Sequence, residues 1–246
     1  MTDTNNKVEC AEHGSCEAAF VCQHLAQGEG LGFHVGYSED DPDELYPDAF
    51  CDACLAFYQA EGEWNDAAEA YADIKLVCSG CYADIRARNW TQGFDELNDL
   101  ITESFAYLSA AQERFMQDFD VGKHTRWDWY QETGKLVFSN NGVPTVEADI
   151  DFVGSLSTSS NTWMWAWANT SFLDGIKARS REIRALGEDN DYLPLAAAIW
   201  PAGQEDGWEM TAVMAKQLGA IGAYRTPSDS GFVYMVVRAA RWLKSA

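Results

Sequence analysis

Hydrophobic and polar positions follow two rhythms along this chain, and the change of rhythm predicts its elements. Between residues 94 and 119, Leu97, Leu100, Ile101, Phe105, Leu108 and Phe115 recur at helical spacing, which predicts one long amphipathic helix. The period then shortens to two. Trp127, Trp129 and Gln131 alternate with their neighbours, Glu132 to Lys135 reads as a hairpin turn before Leu136-Val137-Phe138, and Asn141-Gly142 is a second turn signal. Val146, Ala148, Ile150 and Phe152 alternate with Glu147, Asp149 and Asp151, the pattern of a half-buried strand whose acidic side faces water. After a Ser-rich turn at residues 155–161, Trp163, Trp165 and Trp167 share one face of a strand expected over residues 162–169. Helical pattern returns over residues 173–186, ended by Gly187, and over 208–218, ended by Gly219. Residues 232–242 read as a last strand. The fold class expected is α+β: an antiparallel meander of about four strands with helices on one face.

The first 90 residues lack such rhythm. Phe20-Val21-Cys22 reads as a short strand, residues 38–47 as an acidic loop, and residues 67–77 as a short helix leading into the last cysteine pair. Apolar positions are sparse, so this stretch reads as small and loop-rich, and a region without a large core needs a staple. All seven cysteines lie in it, and the 18 acidic and four basic residues up to Trp90 give it −14 of the chain's −22. These asymmetries place a boundary near residues 89–93, with an acidic region over 1–92 and a Trp-rich domain over 93–246.

The cysteines supply the staple. Four close pairs occur: Cys10-x2-His13, Cys22-x-His24, Cys51-x2-Cys54 and Cys78-x2-Cys81. Each offers half of a tetrahedral zinc shell from one turn. Cys22 and His24 would reach one ion from the same side of an extended segment. Two Cys3His shells can form in an interleaved way, the first pair with the third and the second with the fourth. They can also nest, the outer pairs sharing one ion and the inner pairs the other. A third arrangement puts one ion on Cys51, Cys54, Cys78 and Cys81, with the earlier pairs merely packed. Cys16, three residues after His13, could stand in for Cys10 but reads as a small buried thiol. His34 reads as packed or solvent-facing, and His124 as surface. Closed sulfur-rich shells are structural, and neither a HExxH motif nor a deaminase signature accompanies them. Two structural Zn2+ ions are the expected cofactors.

Composition narrows the remaining classes. With 47% hydrophobic and 13% aromatic residues, the chain can bury a core. A charge of −22 argues against nucleic acid and fits a basic protein partner. The polar opening MTDTNNKVEC does not read as a signal peptide, and no stretch reaches the about 20 apolar residues expected of a membrane span. The expected compartment is the cytoplasm, where paired cysteines bind metal rather than form disulfides. Phosphate-binding and hydrolase motifs are absent; Gly28-Glu29-Gly30-Leu31-Gly32 sits among acids without a helix and lysine to make it a phosphate loop. The Asp149/Asp151 pair reads as a wet strand face.

From about residue 94 onward, Gly154-Ser155, the run Trp163-x-Trp165-Ala166-Trp167-Ala168-Asn169, and Leu218-Gly219 resemble an uncharacterised bacterial domain family that shares a Gly-Ser turn, a W-x-W-A-W-A-N strand and a later Leu-Gly pair. The resemblance implies one domain of roughly 150 residues and brings no activity or catalytic residue. The front region resembles small zinc-finger modules with alternating ligand pairs. The reading is a zinc-binding, non-enzymatic interaction protein for a basic partner, a basic toxin being one concrete form. The alternative is an enzyme or a small-molecule or sugar binder using a pocket beside the tryptophan strand, whose rings could serve as a stacking platform.

Overall fold

A computed structural model describes residues 7–36, 44–91 and 93–243. The chain forms two compact units, Met1–Phe94 and Asp95–Ala246. Residues 38–43 of the acidic loop lie outside the described residues.

The first unit is built from short elements. Strands β1 (Lys7–Cys10) and β2 (Gly14–Val21) form a hairpin, followed by helix α1 (Gln23–Gln27), strands β3 (His34–Gly36) and β4 (Asp48–Phe50), helices α2 (Asp52–Glu61) and α3 (Asp66–Ala72), strand β5 (Lys75–Cys78) and helix α4 (Ser79–Asn89). The sheet runs β1-β2-β4-β3, with β5 also paired to β2. The expected helix over 67–77 is therefore two elements. Asp73, in the left-handed region at φ 41°, ends α3 and turns the chain into β5. The apolar Leu76 and β-branched Val77 then pair with β2. The core is small and holds Val21, Leu25, Ala49, Tyr82 and Ile85 together with Cys22, Cys51, Cys54 and Cys78.

The second unit opens with α5 (Phe94–Asp118), whose buried positions Leu97, Leu108 and Phe115 are those of the helical stripe. A seven-stranded antiparallel sheet follows. It contains β6 (Arg126–Tyr130), β7 (Lys135–Asn140), β8 (Val143–Ser157) and β9 (Thr162–Trp165); after α6 (Asp174–Asp189) and α7 (Leu193–Ala196) come β10 (Ile199–Pro201), α8 (Gln204–Leu218), β11 (Gly222–Ser228) and β12 (Gly231–Trp242). The fold class is α+β. Positive φ at both Asn141 and Gly142 closes the two-residue β7–β8 turn. Gly219, at φ 65°, ends α8.

One sheet face carries Leu136, Phe138, Val146, Ala148, Ile150, Phe152, Met235 and Val237, joined by Phe115 of α5. Tyr234 belongs to the other, where it meets Trp163 and Trp208 edge-on at 5.5 and 5.4 Å. Gly207 of α8 allows this approach, because a Cβ there would stand 2.6 Å from the Tyr234 ring.

Several expectations are corrected. The tryptophan strand ends at Trp165, since the N–H groups of Ala168 and Asn169 both donate to the Trp165 carbonyl and fold the chain into a turn. Trp167 sits in that turn. Helix α6 continues through Gly187, which is no cap: a Cβ there would lie 2.6 Å from the Ala196 amide, so the glycine admits α7. Asp151 is buried rather than wet, and Arg238 Nε stands 2.8 Å from its carboxylate. Approached off the N–H axis, this is an ion pair more than an aligned hydrogen bond. Lys135 bridges Asp149 and Glu147. His124 is packed rather than on the surface, with its ring against Phe138 and Trp242 and its Nε2 buried. Among the described residues no helix is long and apolar enough to cross a membrane.

Candidate metal centres

Helix starts place three of the four pairs. Cys22, Cys51 and Cys78 are the N-caps of α1, α2 and α4, each with extended backbone, and His24, Cys54 and Cys81 lie in the first turns that follow. The free N–H groups of a first turn point at whatever caps it. The Cys81 amide accordingly donates to Cys78 Sγ at 3.3 Å. Cys22 and His24 thus do not share an extended segment as expected; they straddle a strand-to-helix junction. The fourth pair brackets the β1–β2 turn, where Cys10 pairs with Gly14, itself at φ 70°.

Strand β2 assembles the pairs. Val21 at its end pairs in parallel with Ala49, so Cys22 and Cys51 leave neighbouring strands in the same direction, and the Cys22 amide donates to the Ala49 carbonyl at 2.8 Å. Toward its start, Gly14 faces Cys10 and Ala18 faces Cys78. The result is the nested arrangement. Cys10, His13, Cys78 and Cys81 form an outer group, and Cys22, His24, Cys51 and Cys54 an inner one. Within each group the ligating atoms lie within 4.8 Å of one another, so each could hold a metal ion. The interleaved scheme, and with it the alternating order of ligand pairs, is not what forms; nor do Cys51 and Cys54 join Cys78 and Cys81.

Both imidazoles turn Nδ1 toward the sulfurs. His13 Nδ1 lies 3.4, 3.6 and 3.7 Å from the sulfurs of Cys78, Cys81 and Cys10, and Cys10 Sγ lies 3.8 Å from Cys81 Sγ. His24 Nδ1 lies 3.3 and 3.7 Å from the sulfurs of Cys54 and Cys51. The His24 ring leans on Tyr71 at 5.1 Å, and Tyr71 stacks on Phe57 at 4.6 Å. His13 presents Nε2 to Asp84 Oδ2 at 3.4 Å. A carboxylate behind a ligating imidazole fixes its tautomer and ring orientation.

The thiols are unevenly poised. The amides of Glu12 and His13 hold Cys10 down at about 6. Burial raises Cys22 and Cys54, and burial with the neighbouring thiol of Cys78 pushes Cys81 up to about 12. Three crowded sulfurs resist ionising together, and a bound cation reverses that balance.

Two contributors escape a reading by ligand type. Asp84 lies three residues beyond Cys81 on α4 but meets a histidine far away in the sequence. Gly80 sits under the His13 ring, where a Cβ would come within 2.4 Å. Its only signal is the glycine in Cys78-Ser79-Gly80-Cys81. Cys16 stays outside both groups and donates to the His13 carbonyl. His34 is held by Asp52 at 2.6 Å and stacks on Phe50, so it too is packed rather than ligating.

Residues 98–240 match the model of a family of unknown function (DUF6882). The chain belongs to this family. No curated protein and no solved structure matched the chain. The DUF6882 match lies wholly within the second unit, and all eight Cys/His residues precede it.

Inside the DUF6882 stretch the tryptophan run is core. Trp163, Trp165 and Trp167 are 0%, 0% and 3% exposed, so they offer no open stacking platform. Trp165 donates to the Pro194 carbonyl at 2.8 Å, and the Arg184 guanidinium lies 4.6 Å over the Trp167 ring. Gly154-Ser155 is not a turn but part of β8, toward its end, opposite Trp165 and Met164. A Cβ on Gly154 would come within 2.5 Å of the Trp163 ring, and Asn169 Nδ2 donates to Ser155 Oγ at 3.1 Å. Glycine, serine, tryptophans and asparagine of the run therefore form one packing unit.

Proposed function

We propose that the first unit is a structural zinc module with two Cys3His sites, and that the protein is a non-enzymatic interaction protein for a basic protein partner. The observation that carries the zinc reading is the spacing of the ligating atoms. Zn–S bonds of about 2.3 Å and Zn–N bonds of about 2.0–2.1 Å in a tetrahedron put sulfurs about 3.8 Å apart and sulfur and nitrogen about 3.6 Å apart. The distances of 3.3–3.8 Å in the two groups fall around those values. Eight side chains fill both shells and leave no open position, the condition for a structural rather than a catalytic ion. The likeness to zinc-finger modules rests on the same shells, with nested in place of alternating ligands.

The partner reading rests on charge. The region up to Trp90 carries −14, and complementary charge steers and selects partners. Neutralising a basic toxin is one form this takes, and a reducing cytoplasm would keep the thiols available to metal. The test is binding of the zinc-loaded protein to a lysine-rich peptide at low and at physiological salt. Affinity is expected to fall clearly as salt rises; binding indifferent to salt, or none, contradicts the partner reading.

A further inference from the structure

A groove of about 540 Å³ opens on the first unit between β4, α2, the α2–α3 turn and the α3–β5 turn. Phe50, Tyr58, Trp64 and Ile74 line it, with Glu44 and Asp48. Its volume is that of a small-ligand pocket. The Trp64 ring stands 5.7 Å from Phe50 and 5.9 Å from Tyr58, tilted by 41° and 47°. Tyr58, Trp64 and Ile74 are nevertheless 37–38% exposed. Adjacent large rings left this open in a small unit mark a surface built to be covered.

The rings are also held in place. Gly62, at φ 79°, ends α2 and donates to the Tyr58 carbonyl; Asn65 caps α3 through the amides of Ala67 and Ala68 and donates to Glu61. Trp64 sits between those two fixed points. A wall that is already ordered loses little freedom on binding. Among the described residues the charges that line the groove are of one sign, two carboxylates and no basic side chain. Lys75, next to Ile74, is paired with Asp73, and His34, behind Phe50, with Asp52.

We propose that this groove is the docking site for a cationic side chain, lysine or arginine, of the basic partner: the aromatic faces take the cation and Asp48 with Glu44 balances its charge. This deepens the proposed interaction function and rests on it. Aromatic faces attract cations through the ring quadrupole, most strongly for tryptophan. Partial burial raises the pKa of the Asp48 carboxyl, a cost that an arriving cation relieves.

The test uses the full-length zinc-loaded protein and a fluorescein-labelled peptide of alternating lysine and serine, read by polarisation. Its fully acetylated counterpart is expected not to bind. Trp64→Ala is expected to weaken binding roughly tenfold, with Trp64→Phe recovering part of the loss. Asp48→Lys is expected to weaken it by more than tenfold, whereas Glu96→Lys, the same charge change on α5 of the second unit, leaves it within about twofold. Zinc content shows that each variant retains its first unit, and Tyr58→Ala replaces Trp64→Ala if that variant loses metal. Salt-dependent binding that ignores Trp64, Tyr58 and Asp48 overturns the groove while leaving the acidic interaction function standing. No binding by the unaltered protein overturns both.

Discussion

Gly80 shows how much of the outer metal group depends on residues that are not ligands. The His13 ring occupies the space where its Cβ would be. Gly80→Ala is therefore expected to displace His13 and cost the outer ion, with the inner ion retained, as metal analysis would show. Asp84→Asn keeps the shape and removes the charge behind His13. It is expected to weaken the outer site about 10–100-fold in competition with a chromogenic chelator. The eight sulfur and imidazole residues were legible in the sequence because each pair is local. Gly80 and Asp84 were not, because what they serve, His13, is brought to them only by the pairing of β1 and β5 with β2.

Glu209 carries a separate, testable consequence in the second unit. Burial, with Asp206 and Glu205 beside it, raises its carboxyl to about 7. The folded state thus holds a proton that the unfolded chain releases near its ordinary value. Its contribution is present below about 4.5 and is lost as pH rises through about 7. Glu209→Gln is expected to stabilise the second unit at neutral pH by about 1 kcal/mol, after allowance for solvent screening at a half-exposed site. The gain should vanish near pH 4, as thermal melts at the two pH values would record.

At the scale of elements, strong periodicity translated directly. The stripe over residues 94–119 became α5, Asn141-Gly142 closed the β7–β8 hairpin, and Gly219 ended α8. Three errors share one cause: a residue used locally in one way and tertiarily in another. Gly187 looks like a helix cap but makes room for α7, and the alternation at Trp167 continues a strand pattern through a turn. Gly154 reads as a turn residue but yields space to an indole. Gly154→Ala and Gly187→Ala are each expected to destabilise the second unit by about 1–3 kcal/mol, since both would press on backbone or a fully buried ring. Denaturant melts followed by tryptophan fluorescence would measure this, because eight of the ten tryptophans lie beyond residue 95.

At the scale of the molecule, the two units rest on different physics. The second has a large two-faced core around β8 and β12. The first buries few large side chains and sets four cysteines within its core, so its stability is expected to follow its metal. A strong chelator should unfold the first unit and leave the tryptophan fluorescence of the second nearly unchanged. The α+β class and the change in character near residue 90 could be read from composition and period. The choice between nested and interleaved ligands could not, because it is set by strand register, Val21 on Ala49 and Ala18 on Cys78.

Metal stoichiometry across paired variants addresses that choice and the zinc reading together. The freshly purified reduced protein is expected to hold two zinc ions per chain by native mass spectrometry. Cys10→Ser with Cys78→Ser should leave one ion, since both changes fall on the outer group, and Cys10→Ser with Cys51→Ser should leave none. An unaltered protein without zinc, or a Cys10/Cys51 variant that keeps one ion while the Cys10/Cys78 variant loses both, would contradict the account.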